Sequence, residues 1–251
     1  MMPTLVGLSY SGWTEKARWA VEHHRLSYRY REHIPLLGEP WLRRHTQPGM
    51  RPSVPLLLDE AGPITGSFAI ARRVEQLGRG EPLFPAEASE TIAHWEDVSE
   101  RVLGVARAYV VARLPRNRRA QEESLPPLLP AWTRRLFAPS ATMAARFLAR
   151  KHQAPADVDA AISATVIPAF EQLRAALGGR PYLRDRFTYA DITAAVMLQF
   201  VRPVDDAYLP LGPGTRELWS HAELASRFPD LLAWRDGLYA KHRPPRPLEA
   251  D

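Results

Sequence analysis

The sequence predicts an α/β unit with a mixed four-stranded sheet, followed by an all-helical bundle, and three observations carry that expectation. Strand-like apolar runs occur only before residue 66. A stretch with two glycines and two prolines, Gly78 to Ala88, separates them from the remainder and reads as a linker. Beyond it the apolar residues recur at helical spacing. The expected boundaries are therefore 1–79 for the first unit and 89–251 for the second.

The elements of the first unit follow from local chemistry. Thr4 to Leu8 is a buried strand entering a turn at Ser9, Tyr10, Ser11 and Gly12. Trp13, Ala17, Ala20 and Val21 then fall at i, i+4, i+7 and i+8, one face of an amphipathic helix, which assigns Glu15, Lys16, Arg18 and Glu22 to the other face. Leu26 to Glu32 alternates like a strand with one solvated side. Pro35 to Pro52 is proline-rich and leaves room only for a short helix at Glu39 to His45. Val54 to Asp59 is a third strand, and Ile64 begins a fourth after a hairpin at Ala61-Gly62, which makes the sheet mixed. Ser67 is the expected cap of a helix with Ile70, Val74 and Leu77 inward.

In the second unit, Ile92, Trp95, Val102, Ala106 and Tyr109 predict one long helix from Ser89 to Leu114. Pro155 to Leu177 is another, kinked by Pro168 and ended by Gly178-Gly179. Phe187 to Phe200 and Phe228 to Lys241 complete the expected set, the last with Pro229 in its first turn. Thr188-Tyr189-Ala190-Asp191 reads as a capping box, a folding signal rather than a catalytic one.

Composition excludes several function classes. The 45% hydrophobic and 24% charged fractions are those of an ordinary globular chain. Net charge is +5, but no basic cluster with interleaved aromatics stands out before residue 113, so nucleic-acid binding is not expected. Cysteine is absent, which removes disulfides, cysteine zinc sites and cysteine nucleophiles, and any thiol chemistry must use a thiol brought by a ligand. His23 and His24 are adjacent on a helix, a spacing that cannot chelate jointly, so they read as surface residues. No apolar run approaches the ~20 residues that cross a bilayer, and the first residues lack a signal pattern, which makes a cytoplasmic location the expectation.

Four segments, in order, carry a resemblance. They are Ser11-Gly12-Trp13-Thr14-Glu15-Lys16-Ala17-Arg18-Trp19-Ala20, Ser53-Val54-Pro55-Leu56-Leu57, Ile64-Thr65-Gly66-Ser67-Phe68-Ala69-Ile70 and Phe187-Thr188-Tyr189-Ala190-Asp191-Ile192. Together they resemble the glutathione S-transferase superfamily, which implies a thioredoxin-like first domain and an all-helical second one. The resemblance implies that the Val54-Pro55 bond is cis, presenting the Val54 backbone to an extended peptide ligand, against the plainer reading of a trans proline opening an edge strand. It gives Ser67 and the start of its helix the γ-glutamyl carboxylate of glutathione, beside the plainer reading of Ser67 as a cap. Gly66 stands where the family usually has an acidic residue or glutamine. For the reacting end, the matched motif points to Ser11, with Tyr10 as the second candidate and a turn-forming serine as the third reading. Glutathione is then a co-substrate, no metal is required, and a homodimer is left open.

Two functions follow from the resemblance. One is a serine-type glutathione transferase activating the thiolate for attack on a hydrophobic electrophile. The other is a non-catalytic binding or interaction module on the same scaffold, a reading that Gly66 favours. The segment 115–155 is unmatched and combines Arg116, Arg118, Arg119, Arg134, Arg135, Arg146, Arg150 and Lys151 with Leu128, Leu129, Trp132, Leu136, Phe137, Met143, Phe147 and Leu148. A helix is expected only from Ala141 to His152, after a proline-broken stretch containing Trp132. The segment reads as satellite core, as a lid whose apolar side faces substrate, or as a dock on anionic membrane.

Overall fold

The computed structural model describes residues 2–125, 130–151, 155 and 157–245. Leu128, Leu129 and His152 lie outside the described residues, as do the side chains of Leu136, Leu148 and Lys151. The first part runs β1 (Thr4–Gly7), α1 (Gly12–His23), β2 (Arg29–Glu32), α2 (Glu39–His45), β3 (Leu56–Asp59), β4 (Gly62–Thr65) and α3 (Ser67–Leu77). The sheet order is β2-β1-β3-β4, with β1 parallel to β2 and antiparallel to β3, and β3 antiparallel to β4. Among the described residues no strand follows β4. The chain continues through α4 (Ser89–Arg113), α5 (Arg118–Glu123), α6 (Ala131–Lys151), α7 (Val158–Ala161), α8 (Ile167–Leu177), α9 (Tyr189–Val196), α10 (Pro213–Leu218), α11 (Ala222–Arg227) and α12 (Pro229–His242).

The amphipathic reading of α1 captures only half of it. Glu15 and Lys16 are 1% and 0% exposed, and Arg18 is also buried, because α1 lies between the sheet layer with α3 on one side and the helical part on the other. Most of the face assigned to charged residues is buried against the chain beyond α3 and neutralised there, whereas Arg18 is held within the first part by Tyr28, Glu22 and the Tyr30 ring. Lys16 Nζ donates to both Glu96 carboxylate oxygens at 2.9 Å and to Glu100 at 2.7 Å. Arg243 Nε donates to Glu15 at 2.9 Å, and Arg243 also pairs with Glu22. One apolar core runs through both parts, joining Leu5, Leu57 and Ile70 to Trp95, Phe170 and Ile192. On the sheet's other face α2 packs Leu42 against Val6 and Leu56.

Ser67 is not the cap of α3. Gly66 occupies that position with φ of +91°, and no side chain caps the helix. The sharp entry from β4 demands a backbone that glycine alone adopts easily, and this carries Ser67 into the first turn. Leu77, at the end of α3, is 40% exposed rather than inward. His24 is buried, not on the surface, because Gly78 and Gly80 let the linker close over it, where a Cβ at either would approach the histidine within 2.4 and 2.8 Å.

In the helical part, α6 is continuous from residue 131, across Pro139, which replaces the expected proline-broken stretch. A proline there removes the N–H that would bond the carbonyl of Arg135, and Arg118 donates to that carbonyl instead at 2.9 Å. Pro168 is absorbed similarly, by a π-helical turn over Ile162–Val166 that joins α7 to α8. Helices α5, α10 and α11 were not expected. Each has only six residues, too few for periodicity, and is started by a polar group: Asn117 accepts from Ala120 N, Glu123 from Gly214 N and Thr215 N, and His221 from Leu224 N. The capping box is present, with Asp191 accepting from Thr188 N and Leu183 N at 2.8 Å each. The helix it starts ends at Val196, short of Phe200.

Candidate functional site

A cavity of about 660 Å³ lies between the two parts of the chain. Its floor is the end of β1 and the start of α1; one wall is the Val54-Pro55 edge and the loop before α2; the other is built by α4, α6 and α10. Ser11 sits at the N-cap of α1 with extended backbone (φ −81°, ψ 130°). Its N–H donates to Leu8 O at 2.9 Å, and its hydroxyl makes no capping bond. Ser11 therefore stands at the positive end of α1, on the cavity, and the helix does not use its Oγ as a capping acceptor.

Tyr10 lines the same cavity, its ring 6.1 Å from that of Trp219. Burial, with the Glu32 carboxylate adding to it, pushes the Tyr10 phenol up to about 12, so it remains a neutral hydroxyl through the physiological range. The Val54-Pro55 bond is cis, and both residues line the cavity with Gly66. Five of the six residues singled out from sequence thus meet on one surface. Ser67 does not: it is 2% exposed and lies one residue behind Gly66, beside the Tyr189 phenol.

The wall from the helical part escaped the sequence reading. Val110, Val111 and Leu114 come from the end of α4 and the turn after it, Leu218 and Trp219 from α10 and its C-cap. From α6 come Ser140, Ala141, Ala144 and Ala145. Their spacing, i, i+1, i+4 and i+5, is a strip of small residues on one helix face, a signal legible in retrospect. This corrects the lid reading in its details. The side of α6 that faces the cavity is small rather than bulky, while Trp132, Phe137 and Met143 are exposed to solvent at 69%, 54% and 66%. Ala138, Ala141 and Ala145 bury in the manner of added core.

Among the described residues no cluster of histidine, aspartate or glutamate has metal-binding geometry, and no helix is long and apolar enough to cross a membrane. The arrangement offers instead an uncharged hydroxyl pair at a helix start, the cis Val54-Pro55 bond that leads into β3, and an apolar chamber beyond.

Comparison with known proteins agrees with this architecture. The model of the glutathione S-transferase N-terminal domain matches residues 10–77, and that of the glutathione S-transferase C-terminal domain matches residues 118–237. No curated protein matches the chain. Among solved structures, a glutathione S-transferase from Methylobacterium radiotolerans in complex with glutathione sulfonate is 18% identical, with a TM-score of 0.57 over 100% of this chain and 99% of that one. One from Methylobacillus flagellatus with glutathione bound is 16% identical (TM-score 0.54, 95% of each chain). A third, from Rhodospirillum rubrum, is 19% identical (TM-score 0.54, 96% of this chain and 89% of that one). At such identities the structural likeness concerns the fold; the two domain models, matched in their proper order over most of the sequence, place the chain in the glutathione S-transferase superfamily.

Proposed function

We propose that this protein is a serine-type glutathione transferase, with a glutathione-binding domain at 1–79 and an electrophile-binding domain at 89–251. The observation that carries the reading is the uncommitted Ser11 hydroxyl at the start of α1, on the same cavity as the Val54 edge and the apolar wall of α4 and α10. The tripeptide lies along Val54 as an added strand, and its sulfur comes to rest against Ser11. A free thiol has a pKa near 8.5, and lowering it by about two units, roughly 2.7 kcal/mol, makes the thiolate dominant at neutral pH. A hydroxyl donor beside a helix N-terminus supplies stabilisation of that kind. The thiolate then attacks the electrophilic carbon of a substrate held against the apolar wall; a carbon–sulfur bond forms, the leaving group departs with its electron pair, and the thiol proton goes to solvent. Tyr10, held neutral by its raised pKa, acts as a donor and not as a base.

The relatives bound to glutathione and glutathione sulfonate support the choice of ligand. Turnover of 1-chloro-2,4-dinitrobenzene with glutathione is expected to fall at least tenfold in Ser11→Ala and less in Tyr10→Phe. The reverse order would transfer the role to Tyr10. A second reading, the non-catalytic module, draws on Gly66, which offers the ligand no side chain. A wild-type protein that neither binds millimolar glutathione nor turns over any aryl halide would establish that reading instead.

A further inference from the structure

Among the described residues that line the cavity, one charged group makes neither a hydrogen bond nor an ion pair. Its carboxylates are engaged: Glu100 accepts from Lys16 Nζ and Trp13 Nε1, each at 2.7 Å, Glu39 lies 3.4 Å from His33, and Glu123 accepts from Gly214 N and Thr215 N. Arg107 of α4 also lines the cavity, its guanidinium carbon 4.7 Å from the centroid of the Trp13 ring. Among the described residues no hydrogen bond reaches that guanidinium, which carries five N–H donors. The cation rests on the indole face, a contact that orients the group and leaves its edge free. Burial pushes the Arg107 pKa down to about 10; Glu100 opposes this, and the like charge of Arg51, on the loop before β3, adds to it. The guanidinium is therefore half-buried, without a hydrogen bond among the described residues, and next to an apolar wall.

We infer that Arg107 is an anion subsite that selects electrophiles carrying a carboxylate or sulfonate on an apolar body. A planar acid group meets the guanidinium edge through charge-assisted hydrogen bonds, strengthened by the partly dry chamber, while Val110, Val111 and Trp219 take the apolar part. The subsite rests on the transferase reading for the reaction of the bound acid, but not for its binding.

Two measurements test it. The first compares 4-chloro-3,5-dinitrobenzoate with 1-chloro-2,4-dinitrobenzene, an acidic and a neutral aryl chloride, under glutathione saturation. The ratio of their kcat/KM values is expected to fall at least tenfold in Arg107→Ala and to recover in part in Arg107→Lys. The second is calorimetry with unreactive 3,5-dinitrobenzoate, whose affinity is expected to drop at least tenfold in Arg107→Ala and to weaken with added salt in the wild type. A ratio within twofold of wild type overturns the subsite while leaving the transferase standing. A rise confined to the KM for glutathione also overturns it, by assigning the anion to the peptide's own carboxylate. Arg107-dependent binding of dinitrobenzoate in a protein that turns over neither chloride upholds the subsite and sinks the transferase reading.

Discussion

Along one face of α4, charge is handled in two opposite ways. At Glu96 and Glu100 the helix meets α1, and every charged group is hydrogen-bonded: Lys16 bridges both carboxylates, Thr193 donates to Glu96 at 2.6 Å, and Trp13 donates to Glu100. About two turns further, Arg107 reaches the cavity and no hydrogen bond to it is found among the described residues. In both regions a cation is withdrawn from bulk water, Lys16 wholly and Arg107 in part. The difference teaches where each is used: a closed network holds two parts of the fold together, whereas donors left open are available to a ligand.

The comparison breaks most visibly at Lys16. Lys16→Met removes the cation and leaves two carboxylates in the seam, and because Glu100 is open to solvent stability should fall by about 3 kcal/mol, the lower end for a buried pair that loses one partner. Chemical denaturation reads this directly, and a loss below 1 kcal/mol would mean that water enters the seam and that it is no different from the cavity.

A second test uses pH. Burial, with a smaller contribution from His23, holds buried His24 down at about 4, against an ordinary value of 6.5. Between those values the unfolded chain binds a proton that the folded His24 does not, so its contribution to stability is lost as pH falls from about 6.5 to 4. The span corresponds to roughly 3 kcal/mol at most. Asp191 works in the opposite direction: burial raises it to about 6, so its folded form binds the extra proton and its contribution is lost as pH rises from about 4 through 6. His242, also lowered to about 4, sides with His24. Net stability should therefore decline on acidification through this window, and less steeply in His24→Gln. An identical slope in that variant would remove His24 from the account.

The smallest expected effect is at the cavity rim. Gly66→Ala places a side chain at φ of +91°, where a Cβ meets no neighbour within 4 Å, so the cost is backbone strain alone, about 1–2 kcal/mol. A thermal shift of a few degrees is expected. A stabilised variant would show that the turn relaxes and that Gly66 is not held by its backbone.

Much of the fold was legible because it rests on local signals. The hairpin at Ala61-Gly62, the capping box at Thr188, and the short helix at Glu39 to His45 all stand where turn and capping chemistry put them. The readings that failed did so for non-local reasons. Glu15 and Lys16 look like a solvated face because periodicity cannot report that a second layer will cover it. His24 looks like a surface residue because its cover comes from glycines more than fifty positions away. Pro139 looks like a break because Arg118, the group that takes over the freed carbonyl, lies on another helix. In the candidate site, Ser11, Tyr10 and the Val54-Pro55 edge were legible as a motif, whereas Arg107 and the α6 strip were not, because an arginine or alanine in a helix carries no mark of which way it faces.

The sequence by itself determined the order of elements as far as α3, the division between a mixed sheet and helices, and the long helices beyond it. Each of these depends on chemistry between neighbours in the chain: caps, turns, proline, and the period of apolar residues. Only the tertiary structure decided that α1 is buried on both faces, that Ser67 lies behind Gly66 and not on the cavity, and that the Glu96 and Glu100 charges are consumed while that of Arg107 is left open. Those outcomes depend on which groups from distant segments share a low-dielectric space, and the energy of a charge is set by that company rather than by its position in the chain.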